Sequence, residues 1–445
     1  MKIAIFTSLF YLLLPLGSLC QTLLITEYSL SQVQLSAVDS ARFQQVSDTS
    51  YSTDARIISI ADIRTVGEQS DTLLFILPST ADTIIVEATQ VEENNQIGFL
   101  WAGKLLNRQG CFAYNRKENR TAGFLMCDGS LYEILPVDTN YQFFVKRSRL
   151  VAPDGCGVPA VTPPPNITLS PPSCPPGYNT CPALVTVLVI VDEFAKAELE
   201  NSWGGMGVFV KMGEIMVNIA FIISDIPNKS IRTVFIEKTG FMFSSNPASG
   251  TTDLNTLRSW SSNERAANQA DLVVLLTGDK LDYAGGVASG GDPDFDGAFA
   301  IVEADDFFLE GAFPHELGHL FGCRHNWPAT FGDNEDSTCA HAYRNLTIIN
   351  FPPPNYSTIN SWRTIVGVPL SVEPGALFQY EGQTYRWYEN WILHYSNPDV
   401  DYYGVPTGVT GANPANNAQQ IRNSACAIAD YFPGQELAVF VTATS

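Results

Sequence analysis

The run His315-Glu316-Leu317-Gly318-His319-Leu320-Phe321-Gly322-Cys323-Arg324-His325 holds three of the five histidines in a chain of 445 residues. On a helix, residues four apart share one face, so His315 and His319 can aim ring nitrogens at one ion. Glu316 lies beside the first histidine and faces the same cleft without being forced onto the ion. Gly322 lets the chain leave the helix through a left-handed turn, and the reversal returns His325 to the same point. Three neutral imidazoles plus one water describe an open, catalytic Zn2+ site and not a closed structural one. Zinc acidifies its water, and Glu316 is placed to take the proton and deliver it to a leaving amine.

Upstream of this run, apolar segments alternate with helical ones. Ala183–Val191 is a nine-residue run, apolar except for Thr186, of the kind found in a strand buried on both faces. A helix is expected over Met206–Ser224, strands over Ile231–Glu237, Leu272–Leu276 and Ala298–Glu303, and a helix over Asp253–Asn268. Pro314–Phe321 reads as the helix carrying the histidines. The alternation implies an α/β domain with a mixed, largely parallel sheet.

The spacing of the three histidines with Glu316 and Gly322 resembles the signature of the metzincin zinc metallopeptidases, and the element order before it resembles their N-terminal subdomain. Trp362-Arg363-Thr364-Ile365 resembles the approach to the methionine turn in reprolysin-like secreted members. Ser396 to Val400, Gly404 to Gly408 and Asn416 to Ala418 resemble that group's C-terminal subdomain, with a closing helix expected over Asn417–Tyr431. The resemblance covers about residues 183–432. It implies a zinc endopeptidase acting on protein or peptide substrates, with His315, His319 and His325 as metal ligands and Glu316 as the catalytic base. It also implies a zymogen whose N-terminal domain is a propeptide. Two positions depart from the pattern. No methionine follows residue 242, so the apolar floor under the metal would be Val366 or, by an astacin-like alignment that brings Tyr395 near the metal, Leu393. Asn326 stands where reprolysins usually carry Asp. The missing methionine leaves a second reading, a catalytically impaired binding protein on the same scaffold.

The rest of the chain fits export. Lys2 precedes the apolar run Ile3 to Leu16 and the small residues Gly17 and Ser18, the order of a secretory signal over residues 1–20. No later apolar stretch is expected to span a membrane, and a secreted monomer is expected. Residues 21–150 carry short apolar runs (Leu73–Leu77, Thr83–Ala88, Gly98–Lys104, Leu131–Pro136) and read as a mostly β domain. It ends on Lys146-Arg147-Ser148-Arg149, readable as a processing site or as a charged strand end. Residues 151–182 are Pro-rich and linker-like, 183–435 form the peptidase domain, and 436–445 are a short tail. A net charge of −21 with 16% charged residues repels phosphate backbones, which excludes nucleic acid as a partner.

Cysteines and carboxylates raise further expectations. Loss of Cys20 leaves eight of nine cysteines, an even number consistent with up to four disulfides. Cys111 and Cys127 flank a polar centre and suggest a cross-strand bridge, and Cys323 is a candidate partner for Cys339. Cys111 as a free thiol on the zinc is disfavoured by the even count. Asp292, Asp294, Asp296 and Glu303 match the spacing of a calcium loop, so Ca2+ is a candidate second ion. His341 is expected to be structural.

Overall fold

The computed structural model describes residues 21–432 except 24, 49–51, 63–70, 79, 96, 119, 148–179, 245–249, 280, 282–284, 290–292, 310, 327–338, 350–356, 369–376, 381–382 and 412. The signal segment, Cys156 and Cys174 with most of the linker, Asp292 and the C-terminal tail lie outside the described residues.

The catalytic half is built on a five-stranded sheet. Strand Ala183–Val191 pairs in parallel with Lys229–Glu237 on one side and Leu272–Thr277 on the other. Leu272–Thr277 continues in parallel to Phe299–Glu303. Gly286–Ala288 closes the edge antiparallel to Phe299–Glu303. Side chains alternate across a strand, and the sequence is apolar at both parities. Val185, Val187, Val189 and Val191 therefore join one core, and Leu188 and Ile190 another. Helix Met206–Ile223 belongs to the first core, and Leu254 and Leu257 of helix Gly250–Ala267 belong to the second. Met206–Ile223 is long and apolar enough to cross a bilayer, but 13 of its 18 residues are buried inside the protein, as befits a core helix.

Residues 21–147 form a ten-stranded sheet, antiparallel except where Gln21–Thr22 meets Thr72–Ile76. One face encloses its own core, with Phe75, Trp101, Phe112 and Tyr114. The opposite face, with Leu100, Ala113, Phe124 and Met126, shares a core with the catalytic half.

This alternation overturns the expected Cys111–Cys127 bridge. The strands Gly110–Lys117 and Arg120–Cys127 do form a hairpin, but its register pairs Cys111 with Met126 and Cys127 with Gly110. The cysteines are one position out of register, so Cys111 faces the shared core and Cys127 the enclosed one. A disulfide needs Cβ atoms about 4 Å apart on one side of the sheet, and both thiols are free. Cys111, fully buried in that sheet, is not a zinc ligand. The Cys323–Cys339 pairing is also absent: Cys323 is free and Cys339 is engaged in another disulfide. Three free thiols among the described residues rule out four bridges. The bridge that is described, Cys181–Cys426, spans 245 residues and ties the start of the catalytic half to the closing helix Asn417–Ala429.

Lys146 and Arg147 lie in strand Gln142–Arg147. Arg147 is buried and its guanidinium lies 3.6 Å from Glu133. The described half of the basic cluster is thus a charged strand end; Ser148 and Arg149 fall outside the described residues.

Candidate metal centre and its surroundings

The active-site helix runs Ala312–Leu320. It begins at Gly311 in a left-handed conformation, φ 65°, and ends in a Schellman turn. Gly322, at φ 88°, donates to the His319 carbonyl, and the Cys323 amide donates to the Gly318 carbonyl, both at 2.9 Å. Only glycine enters that backbone region without strain. The reversed chain is then pinned by a two-residue bridge, Arg324 against His341. The Arg324 amide donates to Ala340, and the Ala342 amide to Arg324.

The turn brings three imidazoles together. His319 Nε2 lies 3.1 Å from His315 Nε2 and 3.0 Å from His325 Nε2. His315 Nδ1 is 2.9 Å from the Ile365 carbonyl, and His319 Nδ1 is 2.9 Å from the Cys323 carbonyl. A carbonyl only accepts, so both Nδ1 atoms carry the proton and both Nε2 atoms present lone pairs inward. Converging lone pairs repel unless a cation lies between them. A tetrahedral zinc with bonds of about 2.05 Å would separate such nitrogens by about 3.3 Å, close to the spacing seen. Among the described residues these three form the one cluster of His, Cys and carboxylate groups able to hold an ion, and the donor set fits zinc. Burial, then the neighbouring His319, His325 and Arg363, hold His315 well below its ordinary pKa, so it is neutral and able to ligate.

Glu316 is 2% exposed and packs against the edge strand. A Cβ at Gly286 would come within 2.7 Å of Glu316 Oε1 and 2.8 Å of its Cγ, so the carboxylate sits where only a glycine leaves room. The edge strand thereby limits where the carboxylate can sit.

Among the described residues the calcium loop is not assembled. Glu303 lies within strand Phe299–Glu303 and accepts a hydrogen bond from the Leu281 amide. Asp296 pairs with Arg258, and Asp294 accepts from the Gly297 amide. An ion-binding loop needs its last carboxylate to fold back over the first ones, and the strand carries Glu303 away into the sheet. Asp292 lies outside the described residues.

Residues 183–365 match the model of metallo-peptidase family M12, reprolysin type. Two enzymes named peptidyl-Asp metalloendopeptidase, from Stenotrophomonas maltophilia strains R551-3 and K279a, are 28% and 26% identical over 336 and 333 residues, 71% of this chain and 69% of each relative. This chain carries a metzincin-like metallopeptidase domain. Two solved structures resemble it more distantly. A chain from a chaperone-substrate complex does so at TM-score 0.40 and 14% identity, over 70% of this chain and 39% of its own length. Metalloproteinase-II from Bacteroides fragilis does so at 0.39 and 12%, over 57% of this chain and 81% of its own.

Within this metallopeptidase domain the floor lies at Val366. Its Cγ2 would stand 2.6 Å from a Cβ on Gly318, the residue before His319, and its neighbour Ile365 accepts the His315 Nδ1 proton. Tyr395 is fully buried and donates to the Pro314 carbonyl at 2.8 Å, so its hydroxyl is committed to the helix. Asn326 carries out a task that needs only an acceptor: its Oδ1 takes the Val368 amide at 3.0 Å, fastening the segment after His325 to the segment after the floor. His341 Nδ1 lies 2.8 Å from the His325 carbonyl and thus supports the backbone of the third imidazole. The sequence offered no signal for that contact, because it depends on a bridge between segments sixteen residues apart.

Proposed function

We propose that this metalloendopeptidase is secreted and cleaves internal peptide bonds using zinc held by His315, His319 and His325, with Glu316 as general base. The observation carrying the proposal is the convergence of three Nε2 lone pairs at 3.0–3.1 Å, two of them fixed by Nδ1–H bonds to backbone carbonyls. Bound there, zinc supplies a Lewis acid that polarises the scissile carbonyl and acidifies a water. Glu316 takes the proton of the attacking water and passes it to the departing amine. Its burial against Gly286 keeps the carboxylate in one place and limits bulk water around it. The edge strand Gly286–Ala288 offers backbone groups on which an extended substrate adds as a further strand.

The relatives' name suggests aspartate at the cleaved bond, and we extend that preference to this chain. Residues 1–20 direct export, and residues 21–150 are made as a propeptide ahead of the linker.

Cleavage of an unstructured protein, followed by mass spectrometry of the products, tests this directly. Activity should vanish with a chelator, return with Zn2+ and fall by at least about 10²-fold in Glu316→Gln. Retained activity in Glu316→Gln would refute the base assignment, and products without aspartate at the cut would refute the specificity.

A further inference from the structure

Two contact routes run from the N-terminal sheet to the start of the active-site helix. The first is aromatic. Phe124, on strand Arg120–Cys127, lies 5.3 Å from Phe308, ring centre to ring centre. Phe308 meets Phe307 at 4.9 Å, and Phe307 stacks on Phe313 of the active-site helix at 4.5 Å and 16°. Gly213 of helix Met206–Ile223 closes the stack from behind: a Cβ there would reach within 2.5 Å of Phe307 and 3.1 Å of Phe313.

The second route passes through the turn at Asp128 and Gly129. Gly129, at φ 75°, sits so close to Asn390 and the Trp391 carbonyl that a Cβ would lie 3.0 Å and 3.1 Å from them. The Trp391 indole in turn covers Gly311, the left-handed residue that opens the active-site helix, at 2.8–3.0 Å from a Cβ placed there. Two polar links accompany these routes. Tyr403 donates its hydroxyl proton to Asp128, and Lys211 pairs with Glu92 at 3.0 Å.

Both routes end on Gly311 and Phe313, within five residues of His315 and Glu316. A tilt of that first helical turn displaces the first imidazole and the base together, whereas His325, held by His341, would stay. The sheet face that docks here is apolar and fully buried at Leu100, Ala113 and Phe124. Separation would expose it together with Phe308 and part of the long helix, an apolar area that a soluble protein rarely leaves open.

We propose that residues 21–147 are a lasting buttress of the active-site helix: a module that stays docked after the linker is cut and holds His315 and Glu316 in register. This goes beyond a propeptide that must depart before substrate enters. It makes the mature enzyme a complex of two pieces of one chain.

The test begins with the full-length protein carrying an inserted site-specific protease sequence at residues 150–155, ahead of Cys156, so that no disulfide can join the two pieces. After cleavage and native size-exclusion chromatography, the two pieces should elute together at the position of the uncut chain, with kcat within twofold. Separation of the pieces, with the catalytic piece as active as the uncut chain or more so, would overturn the proposal. Co-elution is read without reference to zinc, so it stands or falls independently of the metallopeptidase reading.

The relay itself is read in uncut Phe124→Leu, which keeps an apolar side chain but loses the ring contact. Zinc should pass to a chelator at least fivefold faster and kcat should fall with KM within twofold. Unchanged zinc release and kcat would show that the contact positions nothing.

Discussion

Gly286→Ala adds one methyl group to the edge strand and tests the placement of the general base without altering any group that reacts. The backbone of Gly286 needs no left-handed conformation, so alanine is tolerated there by the chain itself. The new Cβ would start 2.7 Å from Glu316 Oε1, 2.8 Å from Cγ and 3.1 Å from Cδ. Restoring ordinary carbon contacts of about 3.5 Å requires the Glu316 side chain to retreat by roughly 0.7 Å. A misplacement of about 1 Å at a reacting group costs on the order of 10²-fold in rate, so a loss of about 10- to 100-fold in kcat is expected. That range corresponds to about 1.4 to 2.7 kcal/mol of barrier. KM should change by less than about threefold and bound zinc should remain stoichiometric, because no imidazole is touched. Steady-state kinetics on a quenched fluorescent peptide, with metal content and thermal midpoint measured on the same preparation, makes the separation. Should kcat stay within twofold of the parent, Glu316 does not work from the position seen here. A kcat loss that tracks loss of zinc would show instead that the edge strand supports the ligands and not the base.

Three other perturbations probe the supports of the site. Asn326→Ala removes the acceptor for the buried Val368 amide and should lower stability by about 1–3 kcal/mol in chemical denaturation, while Asn326→Asp should hold near the parent. Gly318→Ala places a Cβ 2.6 Å from Val366 and 3.2 Å from Tyr395; overpacking of that kind costs about 1–3 kcal/mol, which Val366→Ala in the same chain should partly relieve in a thermal melt. His394 is pushed down to about 4 from 6.5 by burial. Between those values the unfolded chain binds a proton that the folded one refuses, so stability falls as pH drops from 6.5 to 4, by about 3 kcal/mol in all. His394→Gln should flatten that slope in urea titrations, and an unchanged slope would assign acid sensitivity to other groups.

Much of the catalytic half was legible because its signals are local. The histidine helix was expected over Pro314–Phe321 and runs Ala312–Leu320, and the long helix differs by a single residue at its end. Both rest on short-range periodicity and on glycine punctuation. The helix Glu193–Ser202, capped by Asp192, went unread between two strong apolar segments. Residues 344–391 resisted reading for a different reason. Their four strands include a parallel pair, Ser357–Arg363 with Gln383–Trp391, and parallel pairing leaves no hairpin turn in the sequence to announce it. The Asp292 to Glu303 spacing imitated an ion-binding loop because a motif counts residues, whereas strand Phe299–Glu303 claims Glu303.

The three imidazoles were legible in the sequence alone, since helix pitch and one glycine turn direct their ring nitrogens toward one point. Tertiary structure alone decided what holds them. Val366 became the floor, Asn326 took up the Val368 amide, His341 came to support His325, and Cys111 and Cys127 ended on opposite faces of one sheet. Each of these depends on register or on contact between segments far apart in the chain, and a one-residue shift of register moves a side chain to the other face.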